Sequence, residues 1–243
     1  MAAQDDAREI KMLDLFNLQR PPNRARHGTD AILEVGGRIL EFELKSVTTG
    51  GGLTTVRDFG PDHIAKWKNK HWLISVWHGL DLQYCKYGSP AAMAPWIEEK
   101  WQYIKADFQL AQHVPGLITE EIMYSIIGVQ EVYSRADARK LNKAQYSAAK
   151  YHELMDVIES GKKRQRPIGY SPAKMLMILR DRAKYVIERG STLNNPHIPA
   201  SYFADWEEIK QNHTIRLREL VGQWIAHDEA KANVPLQAPP DTP

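Results

Sequence analysis

Asp30-Ala-Ile-Leu-Glu-Val35, Gly36-Gly37, Arg38-Ile-Leu-Glu-Phe-Glu-Leu-Lys45 is the stretch whose reading decides the fold. Two alternating runs flank a Gly-Gly pair, the signal for a two-residue hairpin turn in which both central residues need φ > 0. With that turn Val35 faces Arg38, and the same register sets Asp30 opposite Glu43. Directly opposed residues have Cβ atoms about 4.5–5.5 Å apart. Lys45 points the same way as Glu43, because strand side chains alternate. The reverse face carries Ala31, Leu33, Leu40, Phe42 and Leu44, an apolar surface suited to a core.

Working outward, 243 residues are enough for one large domain with an ample core. The hydrophobic fraction of 43% and the charged fraction of 26% are those of an ordinary globular protein. A net charge of +2 imposes no global attraction to a polyanion. Locally the balance differs: residues 135–189 hold 14 Lys/Arg against 6 Asp/Glu. No stretch approaches the ~18 apolar residues of a membrane span, and the first residues lack the apolar run of a secretory signal. Cys85 is alone, which excludes an intrachain disulfide. The nine histidines show no Cys/His pairing at zinc spacing. These features together fit a cytoplasmic protein without a membrane partner.

Residues 5–19 read as an amphipathic helix stopped by Pro21-Pro22, and 61–70 as a helix opened by Pro61. Between hairpin and helix, 47–55 reads as a flexible Thr/Gly loop. Residues 71–77 and 80–87 read as strands, and Ser89-Pro90 opens a helix to about 112. The second half is expected to be mostly helical, at 119–127, 135–159, 171–189 and 203–227, with Gly190 stopping the third and 191–199 a loop. Strands early and helices late predict an α/β (α+β) fold. We expect a catalytic core over 1–130, a helical part over 131–231 continuous with it, and a disordered proline-rich tail over 232–243.

Asp30 and Glu43 supply the hard oxygens that Mg²⁺ prefers, with the backbone carbonyl of Leu44 as a third ligand, and Mn²⁺ is expected to substitute. Lys45 would orient or activate a water and stabilise developing negative charge. Its pKa is pulled down by burial and up by two carboxylates, and sequence leaves the outcome open. Glu34 and Glu41 share this face, and Glu9 or Asp14 could support a second metal. The competing interpretation is a hairpin whose outer face is merely solvated. Two opposed acids destabilise a strand pair, however, so a cation between them is favoured.

Asp30, a hairpin turn, then Glu43-Leu44-Lys45 resembles the PD-(D/E)XK nuclease motif, with Thr29 in place of its proline. The continuation from Val56 through Lys68 and His71-Trp-Leu-Ile resembles prokaryotic type II restriction endonucleases. The resemblance covers about residues 5–80. It implies a mixed central sheet flanked by helices, Asp30 and Glu43 as metal ligands, and Lys45 as the catalytic lysine. It also implies double-stranded DNA as substrate, a homodimer on a palindromic target, and a cognate methyltransferase as a genetic partner. A repair or mobile-element nuclease of the same superfamily and a non-catalytic DNA-binding module are the alternatives.

Thr48 and Thr49 in the glycine-rich loop, with Arg57, His63, Lys66 and Lys68, are candidates for DNA contact, each balanced by an ordinary surface role. The run Lys162-Lys163-Arg164-Gln165-Arg166 reads as a nucleic-acid patch or an exposed linker, and a nuclease site elsewhere favours contact by Lys163, Arg164 and Arg166. The seven tryptophans are assigned to the core, His71 to structure, and Cys85 to an inert strand position.

Overall fold

The structure, a computed structural model, describes residues 2–22, 28–160 and 165–232. It begins with helix α1 (Ala2–Phe16), the hairpin strands β1 (Ala31–Val35) and β2 (Arg38–Thr48), and a short β3 (Leu53–Thr54). Helix α2 (Pro61–Trp67), strands β4 (His71–His78) and β5 (Asp81–Gly88), and helix α3 (Pro90–His113) follow. Next come α4 (Glu120–Ile127), α5 (Arg135–Leu141), α6 (Ala148–Glu153), β6 (Val157–Ser160), β7 (Gln165–Gly169) and α7 (Pro172–Ser191). The chain closes with β8 (His197–Ile198), β9 (Glu208–Ile209) and α8 (His213–Ala232). The fold is mixed α+β: a five-stranded sheet in the order β1-β2-β4-β5-β9 with helices around it. Strands β2 and β4 run parallel and the other neighbours antiparallel.

The chain divides into two compact units, residues 1–101 with 194–243, and residues 102–193. The boundary expected near 130 therefore falls inside the second unit, and the chain returns to the first at 194 instead of continuing helically to 231. The proline-rich tail lies outside the described residues. Among the described residues no helix is long and apolar enough to cross a membrane.

In the first unit the sheet is covered on both sides. Phe42, Leu44, Leu73 and Tyr87 share one buried cluster with Met12, Leu13 and Phe16 of α1 and Leu217 and Val221 of α8. On the other side Trp72 meets Trp67 edge-on, with ring centres 4.9 Å apart, and Trp67 in turn packs against Phe59 at 5.4 Å. Both sides of β4 are consequently buried, as its near-continuous apolar run His-Trp-Leu-Ile-Ser-Val-Trp requires.

Helix α1 stops at Phe16, short of Pro21-Pro22, because Asn17 adopts φ of 49° and the Leu18 N–H bonds back to the Leu13 carbonyl. Arg218 and Thr214 of α8 donate to the Phe16 and Leu15 carbonyls, which the helix itself leaves without partners. The loop at 47–55 is more ordered than expected: β2 runs through Thr48, and Leu53 pairs with Ile198 inside the former 191–199 loop.

In the second unit the expected helix 135–159 is broken. Lys143 and Ala144 have φ of 52° and 56°, so α5 ends at Leu141, α6 is short, and β6 pairs with β7 as a hairpin. Ser171 caps α7 by accepting from the Lys174 N–H, and that helix continues through Gly190 to Ser191. Of the span 203–227, only the part from His213 onward is α-helical. Residues before it form a short 3₁₀ turn and β9.

Candidate active site

Gly36 and Gly37 adopt φ of 58° and 74°, the left-handed conformation a two-residue hairpin turn demands. The register runs from Val35 opposite Arg38 to Ala31 opposite Phe42, where the paired ladder ends, so the expected pairing of Asp30 with Glu43 lies just beyond it. Asp30 itself lies one residue before β1, yet its N–H bonds to the Phe42 carbonyl at 3.3 Å. Its Oδ2 accepts from the Leu44 N–H at 3.0 Å, which fixes the carboxylate against β2.

Glu43 is buried, 3% exposed, at the centre of a cluster of ammonium groups. Lys45 Nζ donates to Oε1 at 2.8 Å. Lys70 Nζ donates to Oε2 at 3.4 Å, and Lys66 Nζ stands 4.0 Å from the same oxygen. The parallel pairing of β2 with β4, with Glu43 beside Trp72, delivers the segment that follows α2 to this carboxylate. A cavity of about 310 Å³ opens on Asp30 and Lys45, lined also by Glu9, Ser46, Thr54 and Thr55, while Glu43 lies behind its lining. A roomier groove of about 760 Å³ between α2 and the start of α3 is lined by Ile64, Ala94, Pro95 and Trp101 among others. It holds no acid–amine cluster comparable to the hairpin's, so the smaller polar cavity is the chemical candidate.

The two carboxylates are pushed apart electrostatically. Burial and the nearby charge of Glu43 raise the pKa of Asp30, against the opposing pull of Lys45 and the Leu44 N–H. Burial alone would raise that of Glu43 as well, but Lys45, Lys70 and Lys66 together bring it below the ordinary carboxylate range. Burial pulls the Lys45 ammonium down while Glu43 and Asp30 hold it up, and the carboxylates prevail, so Lys45 keeps its proton. Lys70 goes the other way: burial lowers its pKa despite Glu43.

Among the described residues no three His, Cys, Asp or Glu groups converge as a metal cage. Two carboxylates with a backbone oxygen are nevertheless a donor set suited to Mg²⁺, which retains several waters and takes only one or two protein acids. The charge of Glu43 that raises the Asp30 pKa is what a cation near both would offset. The residues fit the ion.

The remaining candidates scatter. Glu9 lines the cavity and acts electrostatically on both Asp30 and Lys45. Asp14 is exposed on α1 and is absent from the cavity lining. Glu34 is exposed close to the hairpin turn. Glu41 is exposed and accepts from Thr29, the residue standing in the motif's proline position, at 2.7 Å. Thr48 is exposed at the end of β2, and Thr49 directs both its N–H and its hydroxyl to the Trp77 carbonyl. Arg57 and Lys68 are exposed; Lys66 turns toward Glu43. His63 is half-buried and stacks on Phe59, with ring centres 6.1 Å apart. Lys163 and Arg164 lie outside the described residues, while Arg166 is exposed on β7 opposite Glu159.

Lys70 is not among the candidates that the sequence offers, because 61–70 reads as a single helix and Lys70 as its last residue. Helix α2 ends at Trp67, the Lys70 N–H bonds to the Trp67 carbonyl, and the Lys70 side chain is wholly buried.

No curated protein matches the chain. Residues 2–113, however, match the family model described as restriction endonuclease PvuII, a type II restriction endonuclease family of the PD-(D/E)XK type, and that segment contains the hairpin with Asp30, Glu43 and Lys45 as well as Lys66 and Lys70.

Proposed function

We propose that the chain is a Mg²⁺-dependent type II restriction endonuclease that hydrolyses phosphodiesters in both strands of DNA at a short specific sequence. One observation carries the reading: Lys45 Nζ sits 2.8 Å from Glu43 Oε1, and Asp30, bonded to the Leu44 N–H, lines the same cavity as Lys45. The restriction-endonuclease match over 2–113 supports the same class.

Asp30, Glu43 and the Leu44 carbonyl would hold the ion. Bound there, Mg²⁺ supplies positive charge to the phosphorane oxygens and makes a bound water more acidic. Lys45 keeps its proton in the metal-free chain and so acts through its charge, holding negative charge as it develops on phosphate and donating a hydrogen bond to an oxygen in the cavity. Asp30 is held by the Leu44 N–H and lines the cavity, which places its carboxylate beside Lys45. Thr48, Thr49, Arg57, Lys68 and Arg166 are the exposed groups suited to contact DNA, and Lys163 and Arg164 belong to the same proposal. A duplex has two strands and the described residues hold one such cluster, so a homodimer is the economical assembly.

Incubating the purified chain with phage DNA and Mg²⁺ tests this directly. Discrete fragments with uniform ends are expected. A smear would point to a structure-directed nuclease of the same superfamily, and intact DNA with any divalent metal would leave a non-catalytic DNA-binding module. A methyltransferase gene beside this one would favour restriction.

A further inference from the structure

We propose that Lys70 is a resident counter-ion of Glu43 that competes with a divalent cation for this carboxylate. The inference rests on the reading of Asp30 and Glu43 as cation ligands, and adds a residue that neither the motif nor the family match assigns.

Glu43 and Lys70 are among the most deeply buried charged groups of the described chain, 3% and 0% exposed. An isolated carboxylate at that depth is strongly unfavourable, and a partner that stays in place removes the penalty. The two oxygens of Glu43 are divided between partners. Oε1 belongs to Lys45, which also lines the cavity with Asp30. Oε2 belongs to Lys70 at 3.4 Å and Lys66 at 4.0 Å. Lys70 borders a different cavity, beside Glu41, Lys66 and His71, and not the one that holds Asp30 and Lys45. It is therefore a positioning residue, reaching the chemistry only through Glu43.

Charge balance fixes the direction of its effect. Lys45, Lys66 and Lys70 already surround Glu43, with Asp30, Glu9 and Glu41 as the other carboxylates acting on them. A divalent ion beside Glu43 adds two more positive charges within a few ångströms of Lys70. The ammonium held 3.4 Å from Glu43 Oε2 in the metal-free chain must accordingly weaken cation binding. Phosphate groups of DNA would restore the balance, so tight loading of the ion and binding of the polyanion favour one another.

Mn²⁺ binding to the full chain without DNA, followed by electron paramagnetic resonance of the free ion, tests the proposal apart from any activity. Removing the charge in Lys70→Met is expected to tighten Mn²⁺ binding on the order of tenfold. Lys66→Gln, on a half-exposed side chain that threatens the fold less, should tighten it about threefold. Thermal melts establish that each variant is folded, and if Lys70→Met does not fold, the Lys66→Gln result decides. Unchanged or weaker binding in a folded variant would overturn the counter-ion role while leaving the cation site standing. Wild-type protein that melts cooperatively yet binds no Mn²⁺ would overturn the cation site and this inference together.

Discussion

The two faces of strand β2 are buried by opposite means. On one, Phe42 and Leu44 enter a hydrocarbon cluster with Met12, Phe16, Leu73 and Val221. On the other, Glu43 is equally sequestered, but among Lys45, Lys66 and Lys70. Apolar burial is non-directional and tolerant of rearrangement, scaling with the area removed from water. Charge burial is directional, and each group must keep its partner or become a liability. The first face therefore holds the strand in place and the second holds the cluster proposed as the reactive site. A substitution on the apolar side should register as stability, and one on the polar side as rate.

The largest effect expected from breaking the contrast is on the apolar side. Phe42→Ala should destabilise the chain by about 3–5 kcal/mol in urea unfolding, since the ring is fully buried and its removal leaves a cavity. A loss below about 1 kcal/mol would mean that this face is far less tightly packed than described. Lys45→Ala should lower the rate of DNA cleavage by about 10²–10³-fold while the protein still melts cooperatively. A variant that cuts normally would remove Lys45 from the chemistry.

His71 sharpens the comparison because it is a titratable ring on the apolar side, stacked on Phe42 and bonded through Nδ1 to the Tyr87 hydroxyl. Burial depresses its pKa from 6.5 to about 4. The folded chain then binds fewer protons than the unfolded chain between those values. Its contribution is complete above pH 6.5 and is lost as pH falls toward 4, amounting to about 3 kcal/mol. His71→Phe should flatten the stability profile across that window, and an unchanged slope would assign the acid sensitivity elsewhere. The smallest change is at the turn: Gly37→Ala puts a side chain at φ of 74° and should cost about 1 kcal/mol. Cleavage by the folded fraction should be unaffected.

The hairpin was readable in sequence because its determinants are local. Gly36-Gly37 sets the turn, the alternation sets the faces, and those together set the register from Val35–Arg38 to Ala31–Phe42. The lysine cluster was not readable, because Lys70 reaches Glu43 only through the parallel pairing of β2 with β4, a contact between distant segments. Lysine spacing alone suggested a solvated helix face. In the span 135–159 helical periodicity persists across Lys143 and Ala144, whose left-handed backbone breaks the helix without any glycine or proline to announce it. Similarly, β8 and β9 are two-residue strands defined by their partners, β3 and β5, and not by their own composition.

Soaking crystals of the chain in Mn²⁺ and locating the ion by anomalous scattering tests the central claim most directly. The account predicts one peak within about 2–2.5 Å of a carboxylate oxygen of Asp30 and of Glu43. A peak bound elsewhere, or none at this hairpin under conditions where the protein cuts DNA, would contradict it.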